Sequence, residues 1–272
     1  MSAQVLIPWF RYYPFTVGVG PVELKLYPFQ VAMWIGVATT LVIAFQFARA
    51  HRRPLRATFD FGIHILVFAF PVSKIFNGLF YEPGTFERIL HDPSSIGDAW
   101  YGWSMVGGVL GGIIGAWVWK WRRGGSILEV GDAFAFGGPF GFCIGRLGCF
   151  AVHDHPGRVS GFFLAVADYQ VGKPPWPPRH DLGLYEAIVL AVIAIAFSWV
   201  GRKPTKPGLF FGLLGVSFAP ARFFLDFLRA PLLEGGDVRY AGLTPSQYVS
   251  LAFFIGGVIV LRRVRVSSVG PT

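Results

Sequence analysis

Residues 132–150 read Asp132-Ala133-Phe134-Ala135-Phe136-Gly137-Gly138-Pro139-Phe140-Gly141-Phe142-Cys143-Ile144-Gly145-Arg146-Leu147-Gly148-Cys149-Phe150, and this stretch decides the fold. From Ala133 to Ile144 it carries no charge and is rich in Gly and Phe. A run of about 20 apolar residues spans the hydrocarbon of a bilayer as a helix. Arg146 stands near the end of the run, and a guanidinium is always ionised. At membrane depth that charge costs a few kcal/mol unless it is paired or lines a wet cavity. Seven residues on comes His153-Asp154-His155-Pro156-Gly157-Arg158, a dense polar cluster where the chain should leave the membrane. A cation able to hold a phosphate, beside groups able to move protons, points to a lipid-headgroup site.

The rest of the chain agrees with a membrane setting. Of its 272 residues 53% are hydrophobic and 14% charged, against about a quarter charged in a soluble domain. Mean hydropathy is +0.52. The net charge of +9 could suggest nucleic acid, but the placement of the charges argues against it. More than half of the Lys and Arg fall in Arg49/Arg52/Arg53/Arg56, Lys120/Arg122/Arg123, Arg202/Lys203/Lys206 and Arg262/Arg263/Arg265. Each group follows an apolar segment, as cytoplasmic ends do under the positive-inside rule. A nucleic-acid binder gathers them on one polar surface instead.

Apolar segments at about 27–48, 59–80, 103–119, 131–150, 184–200, 208–228 and 246–261 predict an all-α polytopic membrane protein of about seven transmembrane helices. An odd number with a basic C-terminal end puts the N-terminus outside and the C-terminus in the cytoplasm. The longer external segments are then 1–26, 82–102, 151–183 and 229–245. Loop 151–183 carries the polar cluster, and its Lys173-Pro174-Pro175-Trp176-Pro177-Pro178 reads as stiff and extended. Residues 1–25 lack a continuous apolar core and a small-residue cleavage site, so no cleaved signal peptide is expected. Trp9, Phe10, Tyr12, Tyr13 and Phe15 suit an interfacial segment. Residues 1–272 read as a single transmembrane domain.

Gly107, Gly111 and Gly115 recur every four residues, with Gly108 and Gly112 as a second row, and Gly137, Gly141 and Gly145 repeat the spacing. Such rows let helix backbones approach closely in lipid. The second row also leaves smooth backbone that can line a lipid-sized cleft. Cys143 and Cys149 lie six apart, outside disulfide range on a regular helix.

Three sets of ionisable residues fall within or beside the apolar segments: Asp132 with Arg146; Arg222, Asp226 and Arg229; and Lys74 with Asn77. Spacings of four and seven put Arg222, Asp226 and Arg229 on one helical face. Such a ladder can fix helix packing, but ionisable groups inside a membrane are functional by default. Converging arginines can grip a phosphodiester through paired N–H donors, with Asp226 orienting a guanidinium. His153 and His155, with Cys149, could ligate a metal, yet their spacing fits no standard zinc pattern. A proton-handling cluster around Asp154 fits the residue types better. Cys149 is readable either as a nucleophile activated by His153 or as simple packing.

These blocks resemble the prolipoprotein diacylglyceryl transferase family of bacterial inner membranes. Asp132 through Gly141 to Gly145-Arg146-Leu147-Gly148 is similar to the family stretch ending Gly-Arg-Ile/Leu-Gly-Asn-Phe. Asp154, Gly157 and Arg158 fall at the offsets of its following carboxylate and Gly-Arg. Gly102-Trp103-Ser104-Met105-Val106-Gly107-Gly108 resembles its Gly-Met-Ser-Phe-His-Gly-Gly. Arg179-His180 with Leu184-Tyr185-Glu186-Ala187 resembles its Arg-His-Pro-Ser-Gln-Leu-Tyr-Glu-Ala. Arg222, Asp226 and Arg229 resemble its Arg-Phe-x-x-Glu-x-x-Arg. Two positions depart: Val106 stands where the family has His, and Cys149 where it has Asn.

The resemblance implies transfer of a diacylglyceryl group from phosphatidylglycerol to the lipobox cysteine thiol of a prolipoprotein, releasing glycerol phosphate. The alternatives are a related membrane lipid-modifying enzyme with another acceptor, and a non-catalytic phospholipid-binding or transport relative. Arg146, His153, Asp154, His155, Arg222 and Asp226 are the expected catalytic residues. Tyr27, Lys74, Gly107, Gly108, Gly157, Arg158, His180, Tyr185, Glu186 and Arg229 are the expected substrate-binding residues. No cofactor and no metal are expected. The expected partners are phosphatidylglycerol, the lipobox segment and membrane lipids, with no nucleic acid. The site is expected to face the periplasm.

Overall fold

The computed structural model describes residues 7–19, 22–80, 84–92, 103–171, 173–234 and 236–266. Part of the expected 82–102 connection, with Gly102 of the glycine block, lies outside these residues. Among the described residues, seven helices of 17 residues or more coincide with the seven apolar segments: α1 (Pro28–Ala50), α2 (Leu55–Phe80), α4 (Met105–Arg123), α5 (Ile127–Val152), α6 (Leu182–Val200), α7 (Leu209–Leu225) and α8 (Pro245–Val266). A short α3 (Thr85–His91) lies between α2 and α4. Among the described residues six of these helices are long and apolar enough to cross a membrane, α4 not being one of them. Five glycines and the terminal Lys120, Arg122 and Arg123 lower the hydropathy of α4. Large apolar side chains point outward, among them Trp117 and Trp121 on α4 and Val192, Ile195 and Trp199 on α6. In water that exposure would be costly; against lipid it is the favoured arrangement.

Among the described residues, two short antiparallel pairs accompany the helices. β1 (Phe15–Val19) pairs with β2 (Val22–Leu26) just before α1. The N-terminal segment therefore contains a hairpin, which its aromatic content alone does not reveal. β3 (Pro156–Val159) pairs with β4 (Arg179–Asp181) and closes the loop after α5. Residues 176–178 between them are non-helical, as the proline run predicts.

The chain divides into two compact units, 48–133 and the remainder, with both boundaries inside continuous helices. In the 48–133 unit, α4 lies on α2 through Gly107, Gly111 and Gly115. A Cβ built at Gly107 would come within 2.8 Å of the Ser73 Cα, and one at Gly111 within 2.7 Å of the Ala69 Cα. Gly108 and Gly112 meet nothing nearer than 3.9 Å, so the second row is open. Ser104 caps α4 by accepting the Gly107 N–H at 3.2 Å, and the Ser73 hydroxyl donates to the Ser104 carbonyl at 2.7 Å. The helix stops at Gly124, whose φ of +69° costs a glycine little. Arg123 grips Asp60 of α2 with two hydrogen bonds, of 2.9 and 3.2 Å.

The other unit has its core where Phe47, Phe136, Phe197 and Phe210 meet, with ring centroids 4.5 to 5.2 Å apart for four of the pairs. Gly212 and Gly215 of α7 interlock with Gly257 of α8. Gly137 and Gly141 of α5 admit the backbone of α1 at Thr40 and Gly36. These contacts place α5, α6, α7 and the start of α8 around one polar interior.

Candidate active site

The polar interior begins where α6 starts. Asp181 caps that helix by accepting the Leu184 N–H at 3.1 Å. Gly183 lets the first turn press on α5: a Cβ there would lie 2.8 Å from the Phe150 nitrogen and 3.1 Å from the Cys149 Cβ. One turn on, Glu186 is wholly buried. Its Oε2 is 2.7 Å from Nε of Arg146 on α5, and its Oε1 is 2.8 Å from Nη1 of Arg222 on α7. Arg222 Nη1 also donates to Asp226 Oδ1 at 3.0 Å, and Arg229 Nε donates to the same oxygen at 3.1 Å. Arg222, Asp226 and Arg229 share one face as the spacing predicts, although the chain tightens to a 3₁₀ turn at Asp226–Leu228.

Charge alternates along Arg146, Glu186, Arg222, Asp226 and Arg229. Within the row three guanidiniums face two carboxylates, and at its end Arg229 Nη1 lies 3.4 Å from Asp237 Oδ2, which balances the third cation. Arg222 Nε is buried with no hydrogen-bond partner among the described residues. A donor left in that state costs about 1–3 kcal/mol, more when charged, so it is a place for an anionic oxygen.

Asp226 is also held from the start of α8. Thr244-Pro245-Ser246-Gln247 opens α8 as a capping box: the Gln247 N–H donates to the Thr244 hydroxyl at 3.2 Å, and the Thr244 N–H to Gln247 Oε1 at 2.9 Å. The same Thr244 hydroxyl donates to Asp226 Oδ2. Arg239 Nη2 donates to the Asp226 carbonyl at 3.2 Å. The Thr-x-x-Gln pattern before an apolar run is the signal that finds this support.

The loop after α5 holds the histidines. His153 ends the helix with φ of +52° and is buried. Its ring lies against Trp9, Phe10, Phe150 and Tyr169, with Trp9 stacked at 4.6 Å, and its Nδ1 is 2.6 Å from Asp181 Oδ2. The Tyr169 hydroxyl donates to the His153 carbonyl at 3.0 Å. Burial, then the charge of Asp181, raises the Tyr169 pKa and keeps that donor protonated. Asp154 is exposed, and its Oδ1 lies 2.9 Å from His155 Nδ1. Crowding by protein raises its pKa, but His155 and then Arg146 outweigh that and hold it below the usual carboxylate range. Cys149 Sγ accepts an N–H from Arg146 Nη1 at 3.6 Å. Both cysteines are free thiols, Cys149 buried and Cys143 half-buried.

The remaining expected residues fall into three groups. His180 Nδ1 and the Tyr185 hydroxyl are 2.8 Å apart, and that hydroxyl donates to the Leu164 carbonyl at 3.2 Å. Burial lowers the His180 pKa. Gly157 is a packing position: a Cβ there would lie 2.8 Å from the His180 carbonyl oxygen and 2.9 Å from that of Leu228. Arg158 is exposed, and Tyr27 immediately precedes α1. Lys74, Gly107, Gly108 and Val106 belong to the 48–133 unit, where Lys74 Nζ sits 4.2 Å over the Trp103 ring. Asp181, Tyr169, Thr244 and the buried Arg179, which donates to Glu234 at 2.7 Å, were not among the expected site residues.

A family model described as prolipoprotein diacylglyceryl transferase matches residues 14–263. A protein of Janthinobacterium sp. (strain Marseille), named phosphatidylglycerol–prolipoprotein diacylglyceryl transferase, is 27% identical, with 91% of this chain and 94% of that protein covered. Proteins of the same name from Chromohalobacter salexigens and Methylococcus capsulatus are 30% and 28% identical. They cover 88% and 91% of this chain and 90% and 94% of their own lengths.

Proposed function

Because this chain belongs to the prolipoprotein diacylglyceryl transferase family, we propose that it moves the diacylglyceryl group of phosphatidylglycerol onto the thiol of a prolipoprotein's lipobox cysteine. It is a multi-pass bacterial membrane protein and a transferase. In our reading it spans the inner membrane seven times, N-terminus outside and C-terminus in the cytoplasm, with the site toward the periplasm. Residues 1–272 act as one domain, since the boundaries of the two compact units fall inside helices and not in linkers.

The observation that carries this reading is the buried row in which Arg146 and Arg222 share Glu186 while Arg222 Nε has no hydrogen-bond partner among the described residues. A phosphodiester oxygen satisfies that charged donor. In the reaction the thiol sulfur bonds to the glycerol carbon and the carbon–oxygen bond to phosphate breaks. The electron pair leaves with glycerol phosphate, whose charge grows as it departs. Arg146 and Arg222 lie in fixed positions to stabilise that growth, and preorganised donors of this kind give the largest electrostatic gains. Glu186 and Asp226 hold the guanidiniums apart and aimed. His180, Tyr185 and Arg229 flank the headgroup.

The thiol must also lose a proton. Val106 cannot take it, and Asp154 and His155 are the titratable groups gathered with Cys149. His153 supports the site through Asp181, without touching substrate. Expression in a bacterium depleted of its own transferase should restore growth and lipoprotein lipidation. Membranes that hold the protein yet carry only unmodified prolipoprotein would overturn the reading in favour of a lipid-binding relative.

A further inference from the structure

Cys149 ends a helix, and Asp154 and His155 follow on a loop, yet the fold gathers one ligand atom from each within 4.8 Å of the others. These are three of the groups that bind zinc-class ions. Thiolate, carboxylate and neutral imidazole together bring two negative charges, the complement of a divalent cation. Ligand atoms around a tetrahedral zinc sit roughly 3.3–3.6 Å apart, by the usual bond lengths. Asp154 and His155 already lie 2.9 Å apart, and side-chain rotation brings three atoms within 4.8 Å to that spacing.

Two features suit the trio to such a centre. His155 Nδ1 lies 2.9 Å from Asp154 Oδ1, which places a nitrogen and an oxygen ligand side by side. The loop is also pinned on either side. The His153 ring is held by Asp181 at 2.6 Å, and the His155 carbonyl accepts the Leu182 N–H at 3.2 Å. Arg146 Nη1 donates to Cys149 Sγ at 3.6 Å, which fixes the position of the sulfur beside the loop.

We propose that Cys149, Asp154 and His155 bind a divalent zinc-class cation, and that its open fourth position takes the acceptor thiol. This rests on the transferase reading for its catalytic half. On binding the cation, the acceptor thiol releases its proton to solvent and becomes a thiolate. That sulfur then bonds to the glycerol carbon while the carbon–oxygen bond breaks, and glycerol phosphate leaves with the electron pair. The cation would thus supply the activation that Val106 cannot. Cys149, where the family pattern has Asn, becomes the residue that permits it.

The test uses the full chain in phosphatidylglycerol nanodiscs, stripped with chelator and dialysed against zinc or cobalt alone. About one zinc per chain should be retained, with a thiolate-to-cobalt charge-transfer band in the near ultraviolet. Cys149→Asn and His155→Gln should lose both, while Cys143→Ser keeps them. Stripping should slow peptide modification on the order of 100-fold, the size of the base contribution it replaces, and zinc should restore it. No retained zinc, or an unchanged rate in the stripped enzyme, overturns the proposal and leaves the transferase reading standing. Zinc bound through Cys149 with no transfer in any form overturns the transferase reading and leaves only the metal site.

Discussion

Glu186 is the residue on which the site turns, because it touches both Arg146 and Arg222. Removing one partner of a buried ion pair costs about 3–5 kcal/mol, since the other charge is left uncompensated. Glu186→Gln should therefore lower the melting temperature in detergent and abolish turnover together. A variant with wild-type melting and wild-type rate would show that the row of charges is incidental. Arg222→Lys keeps the charge but loses the fork, so it should fold and yet lose roughly 10²-fold or more in rate, as loss of a transition-state donor does. An unchanged rate would remove Arg222 from the phosphate.

Much of this was legible in single residues. Arg146 at the end of an uncharged run, and the Arg222/Asp226/Arg229 spacing, announced buried cations that needed partners. What the sequence could not say was which partners. Glu186 lies 40 residues from Arg146 in sequence and meets it only because Gly183 lets α6 close on α5. The two histidines look equivalent on paper. The fold buries His153 among aromatic rings and leaves His155 beside Asp154 and Cys149.

At the scale of elements, helix starts and glycine rows do the positioning. Thr244 caps α8 and holds Asp226 with the same hydroxyl. Thr244→Ala should cost about 1 kcal/mol for the lost cap and also reduce turnover, whereas Thr244→Ser should restore both. Loss of stability with full activity would separate Asp226 from the chemistry. The two glycine rows of α4 make a sharper contrast. Gly111→Leu should disrupt the α2 contact and sharply reduce folded protein, while Gly112→Ala should be near neutral because that face is open. Equal effects would refute the assignment of the faces. The period of four was visible in sequence, but which row faced α2 was not. Nor was the β1–β2 hairpin, since a short alternating segment beside the membrane gives little signal.

For the whole molecule, charge placement predicts the orientation. With Cys143→Ser as background, Lys173→Cys should react with an impermeant maleimide in intact spheroplasts, and Arg122→Cys only after permeabilisation. The reverse pattern would invert the topology and move the site to the cytoplasmic side. Hydropathy made the helical membrane architecture legible, and the order of the motif blocks made the family legible. The polar interior became visible only once helices distant in sequence were packed together.

The most direct test of the central claim is the mass of a lipobox peptide incubated with the purified protein in phosphatidylglycerol nanodiscs. A gain of one diacylglyceryl group on the cysteine, lost in Glu186→Gln, is the predicted result. An unmodified peptide, with phosphatidylglycerol still bound to the protein, would contradict it.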